Sequence, residues 1–257
     1  MNLHRVSCGD GADVALLHGW GLHGGIFEAL AASLASRHRV HVLDLPGHGR
    51  SPWAKDAADL EGIARGVAAH LPERCSLVGW SLGGMVAVRI ATLFPERVPS
   101  LVLIATGAAG VRRRDWPHGA DDELLAGLAK RLGRDWRATV QEFLGLEVRG
   151  DANPLEALRE LKRCVQLGGA PSTAALEAGL SILRTVDLRP ELGAVRARTL
   201  VVSGEYDRLT PPAAARALAD AVPAARYVEV AHAAHAPFLS HRAEVAALLG
   251  GFLAGNA

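Results

Sequence analysis

Gly79-Trp80-Ser81-Leu82-Gly83 is the stretch of sequence that decides the fold. An apolar run from Cys75 to Gly79 precedes the serine, and an apolar helical pattern from Met85 to Phe94 follows it. A Gly-x-Ser-x-Gly pattern between a strand and a helix is typical of a nucleophile elbow, because the tight turn leaves no room for bulk two residues before and after the serine. The turn exposes the serine hydroxyl, and it places the N–H of Leu82 in the first turn of the helix, where developing negative charge is favoured. Ser81 is therefore the candidate nucleophile, although the same five residues also occur by chance in ordinary turns.

Apolar runs of strand type alternate with helical patterns over most of the chain. The runs are Val14–Leu17, Val40–Leu45, Cys75–Gly79, Leu101–Ala105, Leu200–Ser203 and Tyr227–Val230. Such alternation is typical of a parallel sheet covered on both faces, with its sites at the carboxyl ends of the strands. Trp20, Ser81, Asp207 and His235 each follow one of these runs. We predict an α/β fold with a mostly parallel central sheet flanked by helices.

Residues 110–186 interrupt the alternation, because they carry helical patterns and no convincing strand. Three apolar helical faces are recognisable: Leu124, Leu125, Leu128 and Leu132; Val140, Phe143 and Leu144; and Leu155, Leu158, Leu161 and Val165. We interpret residues 110–186 as a helical lid over a core formed by residues 1–109 and 187–257. The alternative is a helical subdomain with no role in substrate binding.

A serine nucleophile needs a base and an acid that orients the base. Asp207 and Glu205 both follow the run Leu200–Ser203, and either could instead cap a helix. His232 and His235 both follow the run that ends at Val230. The two histidines could also form a metal pair, but no cluster of carboxylates or cysteines accompanies them. The order serine, acid, histidine along the chain is the order expected for this fold.

A second oxyanion donor is expected in the loop after the first apolar run. His18-Gly19-Trp20-Gly21 places small residues there, so that backbone N–H groups can approach a carbonyl oxygen. We expect the N–H groups of Trp20 and Leu82 to be the donors. The alternative is that His18-Gly19 only forms a tight turn.

The composition excludes several classes of protein. The 257 residues carry a net charge of +1, which argues against a nucleic-acid binder that acts through bulk electrostatics. Three scattered cysteines suit reduced thiols in a cytoplasmic protein. The N-terminus lacks an apolar signal core, and no apolar stretch approaches the length of about 18 residues that a membrane span needs. We expect a cytoplasmic monomer with no cofactor, no metal and no contact with membranes or nucleic acids.

These motifs resemble those of the α/β-hydrolase superfamily and, more narrowly, of the pimeloyl-[acyl-carrier protein] methyl ester esterases of biotin synthesis. The resemblance spans nearly the whole chain. Its pieces are Leu17-His18-Gly19-Trp20-Gly21-Leu22, Asp44-Leu45-Pro46-Gly47-His48-Gly49-Arg50-Ser51, Gly79-Trp80-Ser81-Leu82-Gly83-Gly84, Ile182-Leu183-Arg184-Thr185-Val186-Asp187-Leu188-Arg189 and Ala233-Ala234-His235-Ala236-Pro237-Phe238-Leu239-Ser240-His241. The first three are shared by many hydrolases, and the last two are closer to this esterase family.

The resemblance implies roles for individual residues. It identifies His235 as the base and favours Asp207 as the acid, so that the catalytic residues are Ser81, Asp207 and His235. The implied substrate-binding residues are Trp20, Ser81, Leu82, Phe143, Leu144, Gly145, Leu146, Glu147 and His235.

The resemblance also implies that an acyl carrier protein docks on basic lid residues, here Arg159, Lys162 and Arg163. Ala138 and Glu142 depart from the arginines expected in that family, and Arg134 and Arg137 are candidates to compensate. Residues 110–189 hold 13 basic and 12 acidic side chains, so the lid is not a positively charged plate.

The function that the resemblance implies is hydrolysis of the methyl ester of pimeloyl-[acyl-carrier protein], by a serine carboxylesterase mechanism. One alternative is a broad-specificity short-chain carboxylesterase or lactonase, and another is a lyase of the menaquinone-pathway type with the same three residues. A non-enzymatic receptor built on the same fold is a further alternative. Dehalogenases and epoxide hydrolases are excluded because they place an aspartate where Ser81 stands.

Overall fold

The computed structural model describes residues 1–255 and contains a seven-stranded central sheet. Its strands are β1 (Arg5–Cys8), β2 (Ala12–Leu17), β3 (His38–Leu43), β4 (Ser76–Trp80), β5 (Ser100–Ile104), β6 (Arg198–Gly204) and β7 (Arg226–Val230). The strand order is β1-β3-β2-β4-β5-β6-β7. All neighbouring pairs are parallel except β1 and β3, which are antiparallel. The predicted mostly parallel sheet is thereby confirmed.

Helices connect the strands. They are α1 (Glu28–Leu34), α2 (Leu60–Ala68), α3 (Leu82–Leu93), α4 (Asp122–Leu132), α5 (Trp136–Glu147), α6 (Pro154–Leu167), α7 (Thr173–Thr185), α8 (Pro212–Ala221), α9 (Pro237–Ser240) and α10 (Arg242–Ala254). Within residues 1–255, no helix combines the length and the apolar character needed to cross a membrane.

Four of these helices, α4 to α7, lie between β5 and β6, and we refer to them as the helical insert. An antiparallel bridge between Ala109 and Asp187 joins the two chain segments at the base of the insert. The sequence patterns predicted three helical faces in this region, whereas α7 is a fourth helix. Leu155, which shares the apolar helical spacing of Leu158 and Leu161, is 70% exposed in the first turn of α6, where the buried positions begin at Ala157.

The centre of the sheet positions the site. Every residue of β4 and β5 is buried, because these strands lie between neighbours on both sides and under helices on their faces. Since β2, β4, β6 and β7 are parallel, their carboxyl ends meet at one edge of the sheet. The loops that carry Trp20, Ser81, Asp207 and His235 all start from this edge.

Candidate active site

Ser81 lies at the joint between β4 and α3 with φ +55° and ψ −118°. A positive φ is unfavourable for any residue with a Cβ atom, so the turn stores strain. The flanking glycines allow it. A Cβ atom on Gly79 would lie 2.4 Å from the Gly83 carbonyl oxygen, and one on Gly83 would lie 2.1 Å from the Leu17 carbonyl oxygen. The serine is therefore held in a sharp turn that only small neighbours permit.

A chain of hydrogen bonds joins Ser81 to His235 and Asp207. The His235 Nε2 atom lies 2.9 Å from Ser81 Oγ, and His235 Nδ1 lies 2.8 Å from Asp207 Oδ2. A carboxylate oxygen only accepts, so Nδ1–H donates to Asp207 and Nε2 is left to accept the serine proton. All three side chains are buried. This is the geometry of a serine nucleophile with an oriented base.

The carboxylate of Asp207 is itself fixed by the backbone. Its Oδ1 atom accepts the N–H groups of Leu209 and Thr210, each at 2.9 Å. These bonds form within the loop after β6, so the other oxygen is free to face His235. The acid therefore points at the base before any substrate binds.

The two competing residues, Glu205 and His232, pair with each other and not with Ser81. Glu205 Oε2 accepts the His232 N–H at 2.8 Å, and His232 Nδ1 lies 3.1 Å from the Tyr206 hydroxyl. His232 is exposed and has φ +59°. The structure thus brings Asp207 and His235 to Ser81 and leaves Glu205 and His232 at the surface.

The loop after β2 lies against the elbow. A Cβ atom on Gly19 would be 3.1 Å from the Trp80 ring and 3.4 Å from Ser81 Cβ, so this loop passes the serine at contact distance. The indole N–H of Trp20 is already used, because it donates to the Leu176 carbonyl of the helical insert at 2.8 Å. Leu82 is the first residue of α3, and the first N–H groups of a helix have no partner inside it. Backbone N–H groups from both elements are therefore available beside Ser81.

His18 anchors this loop, a role that we did not predict. Its Nε2 atom accepts the Leu45 N–H at 2.8 Å, and its Nδ1 atom lies 2.8 Å from the Gly19 carbonyl, to which it donates. Burial and, to a smaller extent, the neighbouring His48 lower the pKa of His18 to about 3. The neutral imidazole thus joins the Leu45 N–H to the Gly19 carbonyl and fixes the loop. The Leu-His-Gly motif carried a signal for this, since a buried histidine needs partners for both ring nitrogens.

The helical insert covers the site through α5. The ring of Phe143 packs edge-on against the ring of Trp20 with centroids 4.9 Å apart, and Leu144 is fully buried. Gly145 is exposed and Leu146 is half-buried, so the structure does not bring Gly145 to the site. Of the five α5 residues that the resemblance implied, Phe143, Leu144 and Glu147 face inward.

Glu147 is completely buried, and neither carboxyl oxygen has a hydrogen-bond partner within residues 1–255. Burial raises the pKa of this carboxyl well above its usual value, and the negative charge of Asp207 raises it further. Burial therefore favours the protonated, neutral form of this carboxyl. Its place was readable from the sequence, since it lies four residues after Phe143 on the same helical face.

The predicted carrier-docking residues lie on one exposed face of α6: Arg159, Lys162 and Arg163. Arg163 lies 3.7 Å from Glu160, an exposed pair that contributes little. Glu142, where an arginine was expected, accepts a two-pronged contact from Arg131 at 2.8 and 3.0 Å.

Among the other lid residues that the resemblance singled out, the guanidinium of Arg137 stacks over the Trp136 ring at 4.6 Å. Ala138 donates its N–H to the Asp135 side chain at the start of α5. Within residues 1–255, no three His, Cys, Asp or Glu side chains are grouped so that they could hold a metal ion.

Known proteins resemble this chain over most of its length. A family model described as the alpha/beta hydrolase fold matches residues 14–242. A pimeloyl-[acyl-carrier protein] methyl ester esterase of Nitrosomonas europaea is 42% identical over 241 residues, which cover 93% of this chain and 94% of that protein. The protein of the same name from Aeromonas hydrophila is 42% identical over 234 residues, covering 91% and 92%.

Solved structures resemble the chain in fold. A bromoperoxidase from Bacillus anthracis superimposes with a TM-score of 0.90 at 22% identity, covering 98% of this chain and 95% of that one. An esterase from Exiguobacterium antarcticum gives a TM-score of 0.87 at 22% identity, covering 97% and 94%. At this level of identity the likeness concerns the fold alone.

Proposed function

The chain belongs to the α/β-hydrolase fold family and, within it, to the pimeloyl-[acyl-carrier protein] methyl ester esterases, and from this premise we propose that it hydrolyses the methyl ester of pimeloyl-[acyl-carrier protein] to the free acid and methanol in biotin synthesis. The observation that carries the proposal is the hydrogen-bonded chain Ser81–His235–Asp207. The protein is a carboxylic ester hydrolase, and the substrate is the part that we infer.

In the proposed mechanism, Ser81 Oγ attacks the ester carbonyl while His235 Nε2 takes the serine proton. The tetrahedral intermediate collapses, and His235 gives the proton to the departing methoxide, which leaves as methanol. His235 then deprotonates a water molecule, which attacks the acyl-serine ester, and His235 gives that proton to Ser81 Oγ as the free acid leaves. Asp207 stabilises the imidazolium that forms in both halves of the reaction.

The backbone N–H groups of Trp20 and Leu82 are the proposed oxyanion donors. Both lie on elements that contact the elbow, and the N-terminus of α3 adds a favourable dipole for negative charge. Removing one such donor typically costs about 3–4 kcal/mol of transition-state stabilisation. These donors act on the intermediate and so raise kcat rather than substrate affinity.

We infer that the helical insert, with boundaries at residues 110 and 186, is the lid of the acyl pocket. The inward residues Phe143 and Leu144 offer apolar contact to the methylene chain, at about 0.8 kcal/mol for each buried methylene. The raised pKa of Glu147, which favours its uncharged form, suits a pocket for an uncharged ester. The bridge between Ala109 and Asp187 at the base of the insert supports these boundaries.

The carrier protein is the proposed macromolecular partner, and α6 is the proposed docking face. Lys162→Glu should raise KM for the carrier-bound ester several-fold and leave KM for a free p-nitrophenyl ester unchanged. Lys130→Glu, the same change at an exposed lysine of α4, is the matched control. Equal effects of the two variants would contradict docking at α6.

The substrate is tested with purified protein and methyl pimeloyl-carrier protein, with methanol release as the readout. We expect turnover in the wild type and a loss of at least about 10⁴-fold in Ser81→Ala, because the nucleophile is removed. Rescue of a biotin-requiring strain that lacks this esterase is the parallel test in cells. We propose that the enzyme acts there as a cytoplasmic monomer. Hydrolysis of p-nitrophenyl butyrate without turnover of the carrier ester would identify a broad-specificity esterase, an outcome that the mixed charge of residues 110–189 keeps open.

A further inference from the structure

The segment that ends α5 lies against the loop that carries His235. The His235 N–H donates to the Glu147 carbonyl at 3.0 Å, and the Ala152 N–H donates to the His232 carbonyl at 2.9 Å. The helical insert and the base loop are therefore joined directly by backbone hydrogen bonds. The triad geometry does not require this connection, since Ser81 and Asp207 belong to other elements.

Asp151 lies at the centre of this contact. Its Oδ2 atom accepts the Ala234 N–H at 2.9 Å and the Ser240 hydroxyl at 2.8 Å, while Oδ1 accepts the Asn153 N–H at 2.9 Å. The residue is only 8% exposed, and within residues 1–255 no basic side chain forms an ion pair with it. A buried carboxylate with three neutral donors is held by geometry and not by an opposite charge.

The two donors to Asp151 Oδ2, the Ala234 N–H and the Ser240 hydroxyl, lie on either side of His235 in the sequence. Ala234 directly precedes His235, and Ser240 ends the short helix α9 that follows it. On the other side of His235, the indole N–H of fully buried Trp80 donates to the His235 carbonyl at 2.8 Å. The backbone of His235 is thus hydrogen-bonded to Trp80 through its carbonyl and to the end of α5 through its N–H. The position of the His235 ring depends on both contacts.

We propose that Asp151 is a positioning residue for His235, which acts through Ala234 and Ser240 to hold the base in reach of Ser81. The inference rests on the proposed function only in taking His235 as the base. Without the carboxylate, the N–H of Ala234 and the hydroxyl of Ser240 lose their shared acceptor and the loop relaxes away from α5. A displacement of about 1 Å at a reacting group can lower a rate by about 100-fold.

The kinetic test compares Asp151→Ala with Asp151→Asn on p-nitrophenyl butyrate. We expect Asp151→Ala to lower kcat by about 10- to 100-fold with KM changed less than about twofold, because positioning acts on the chemical step. Asp151→Asn should regain most of kcat, since the amide oxygen can accept the same two hydrogen bonds. Asp135→Ala is the matched control: this aspartate caps the other end of α5 by accepting the Ala138 N–H at 3.0 Å, and its loss should lower Tm but not kcat.

The spectroscopic test follows the Trp80 indole ¹⁵N–¹H resonance, assigned with Trp80→Phe. Because Trp80 donates to the His235 carbonyl, Asp151→Ala should shift this resonance, whereas Asp135→Ala should not. Unchanged kcat in folded Asp151→Ala would overturn the proposal. A lower kcat in Asp151→Ala without a shift of the Trp80 resonance would also overturn it. So would a loss of kcat that Asp151→Asn does not restore.

If Asp151→Ala fails to fold, Ser240→Ala decides the matter. This variant removes one of the two bonds to Oδ2, so kcat should fall by a smaller factor and the Trp80 resonance should move in the same direction. No change in either would overturn the proposal. A wild type that hydrolyses p-nitrophenyl butyrate but not the carrier ester would contradict the proposed substrate alone, and the resonance reports on Asp151 in any case.

Discussion

Ser81 adopts a backbone conformation that suits glycine and not serine. We expect Ser81→Ala and Ser81→Gly to be equally inactive, because both lack the hydroxyl. Their stabilities should differ: glycine relieves strain of about 1–3 kcal/mol, less its own entropic cost of about 0.5–1 kcal/mol. Urea denaturation should therefore find Ser81→Gly more stable than Ser81→Ala by about 1 kcal/mol. An alanine variant at least as stable as the glycine variant would contradict strain at the elbow.

The buried carboxyl of Glu147 has a stability cost that depends on pH. The pKa of Glu147 in the folded protein lies above its usual value. As pH rises between these two pKa values, the unfolded chain releases a proton that the folded protein keeps, so the free energy of unfolding falls. Glu147→Gln removes this proton linkage. The stability gain of the variant over the wild type should grow as pH rises above about 4.5, by up to about 1.4 kcal/mol for each pH unit. The measurement is urea denaturation across that range, and a gain independent of pH would contradict a raised pKa.

Individual residues were predictable to the extent that their neighbours in sequence determine them. Ser81 was, because the glycines on either side are visible in the sequence. The selection of Asp207 over Glu205 depends on which carboxylate receives the Leu209 and Thr210 N–H groups, a property of the folded loop. Asp151 gave no signal of its role, since Ala234 and Ser240 lie more than 80 residues away in the sequence.

At the scale of elements, the first turn of α3 packs against the end of β2 through Gly83. A Cβ atom there would lie 2.1 Å from the Leu17 carbonyl oxygen, and backbone cannot move aside as a side chain can. We expect Gly83→Ala to lower the free energy of unfolding by about 1–3 kcal/mol. It should also reduce kcat, because it separates the loop of Trp20 from the start of α3.

Gly251→Ala is the matched control for this prediction. Gly251 lies in α10, with nothing within 4 Å of where its Cβ atom would be. Alanine there should raise stability by about 0.5–1 kcal/mol through helix propensity. Thermal denaturation of both variants checks the pair, and a similar Tm change in the two would show that close packing at Gly83 is unimportant.

Elements were predictable where burial leaves an unbroken apolar run, as in β4 and β5. Strand β1 was missed because all four of its residues are exposed at the sheet edge, so no hydrophobic pattern marks it. Leu155 repeats at helical spacing with the apolar residues of α6 but extends into solvent. Apolar spacing identifies a helix, whereas only packing shows which positions are covered.

At the scale of the whole molecule, two buried neutral histidines link stability to acid. Burial lowers the pKa of His18 to about 3 and that of His48 to about 4. Below the usual value of 6.5, the unfolded chain binds protons that the folded protein does not, so stability falls as pH falls. The decline should reach about 1.4 kcal/mol per pH unit for each histidine, offset in part by Glu147.

His48→Asn tests this decline. The asparagine amide can replace the His48 Nδ1 atom, which lies 3.0 Å from the Pro46 carbonyl, without binding a proton. The free energy of unfolding of the variant should fall less between pH 6.5 and pH 5 than that of the wild type. Identical slopes in urea denaturation would rule out His48 as a source of acid sensitivity.

The general architecture followed from the sequence because a doubly covered parallel sheet leaves strong local patterns and orders its loops along one edge. The orientation of the helical insert did not. It is fixed by contacts such as the Trp20 indole to the Leu176 carbonyl, which join residues 156 positions apart. Amphipathic spacing indicates that a helix covers something, but it does not indicate what lies beneath.

The joint between the end of α5 and the loop of His235 has a consequence for recombination among relatives. Residues 110–186 look like a cassette that could be exchanged to alter acyl-chain preference, since both ends meet at the bridge between Ala109 and Asp187. A chimera cut there would nevertheless bring a foreign partner for Ala234 and Ser240. Chimeras that keep the recipient's own Asp151, Glu147 and His235 loop should have a higher kcat than chimeras in which all of residues 110–186 are exchanged. This difference is expected even where both kinds of chimera bind the ester equally well.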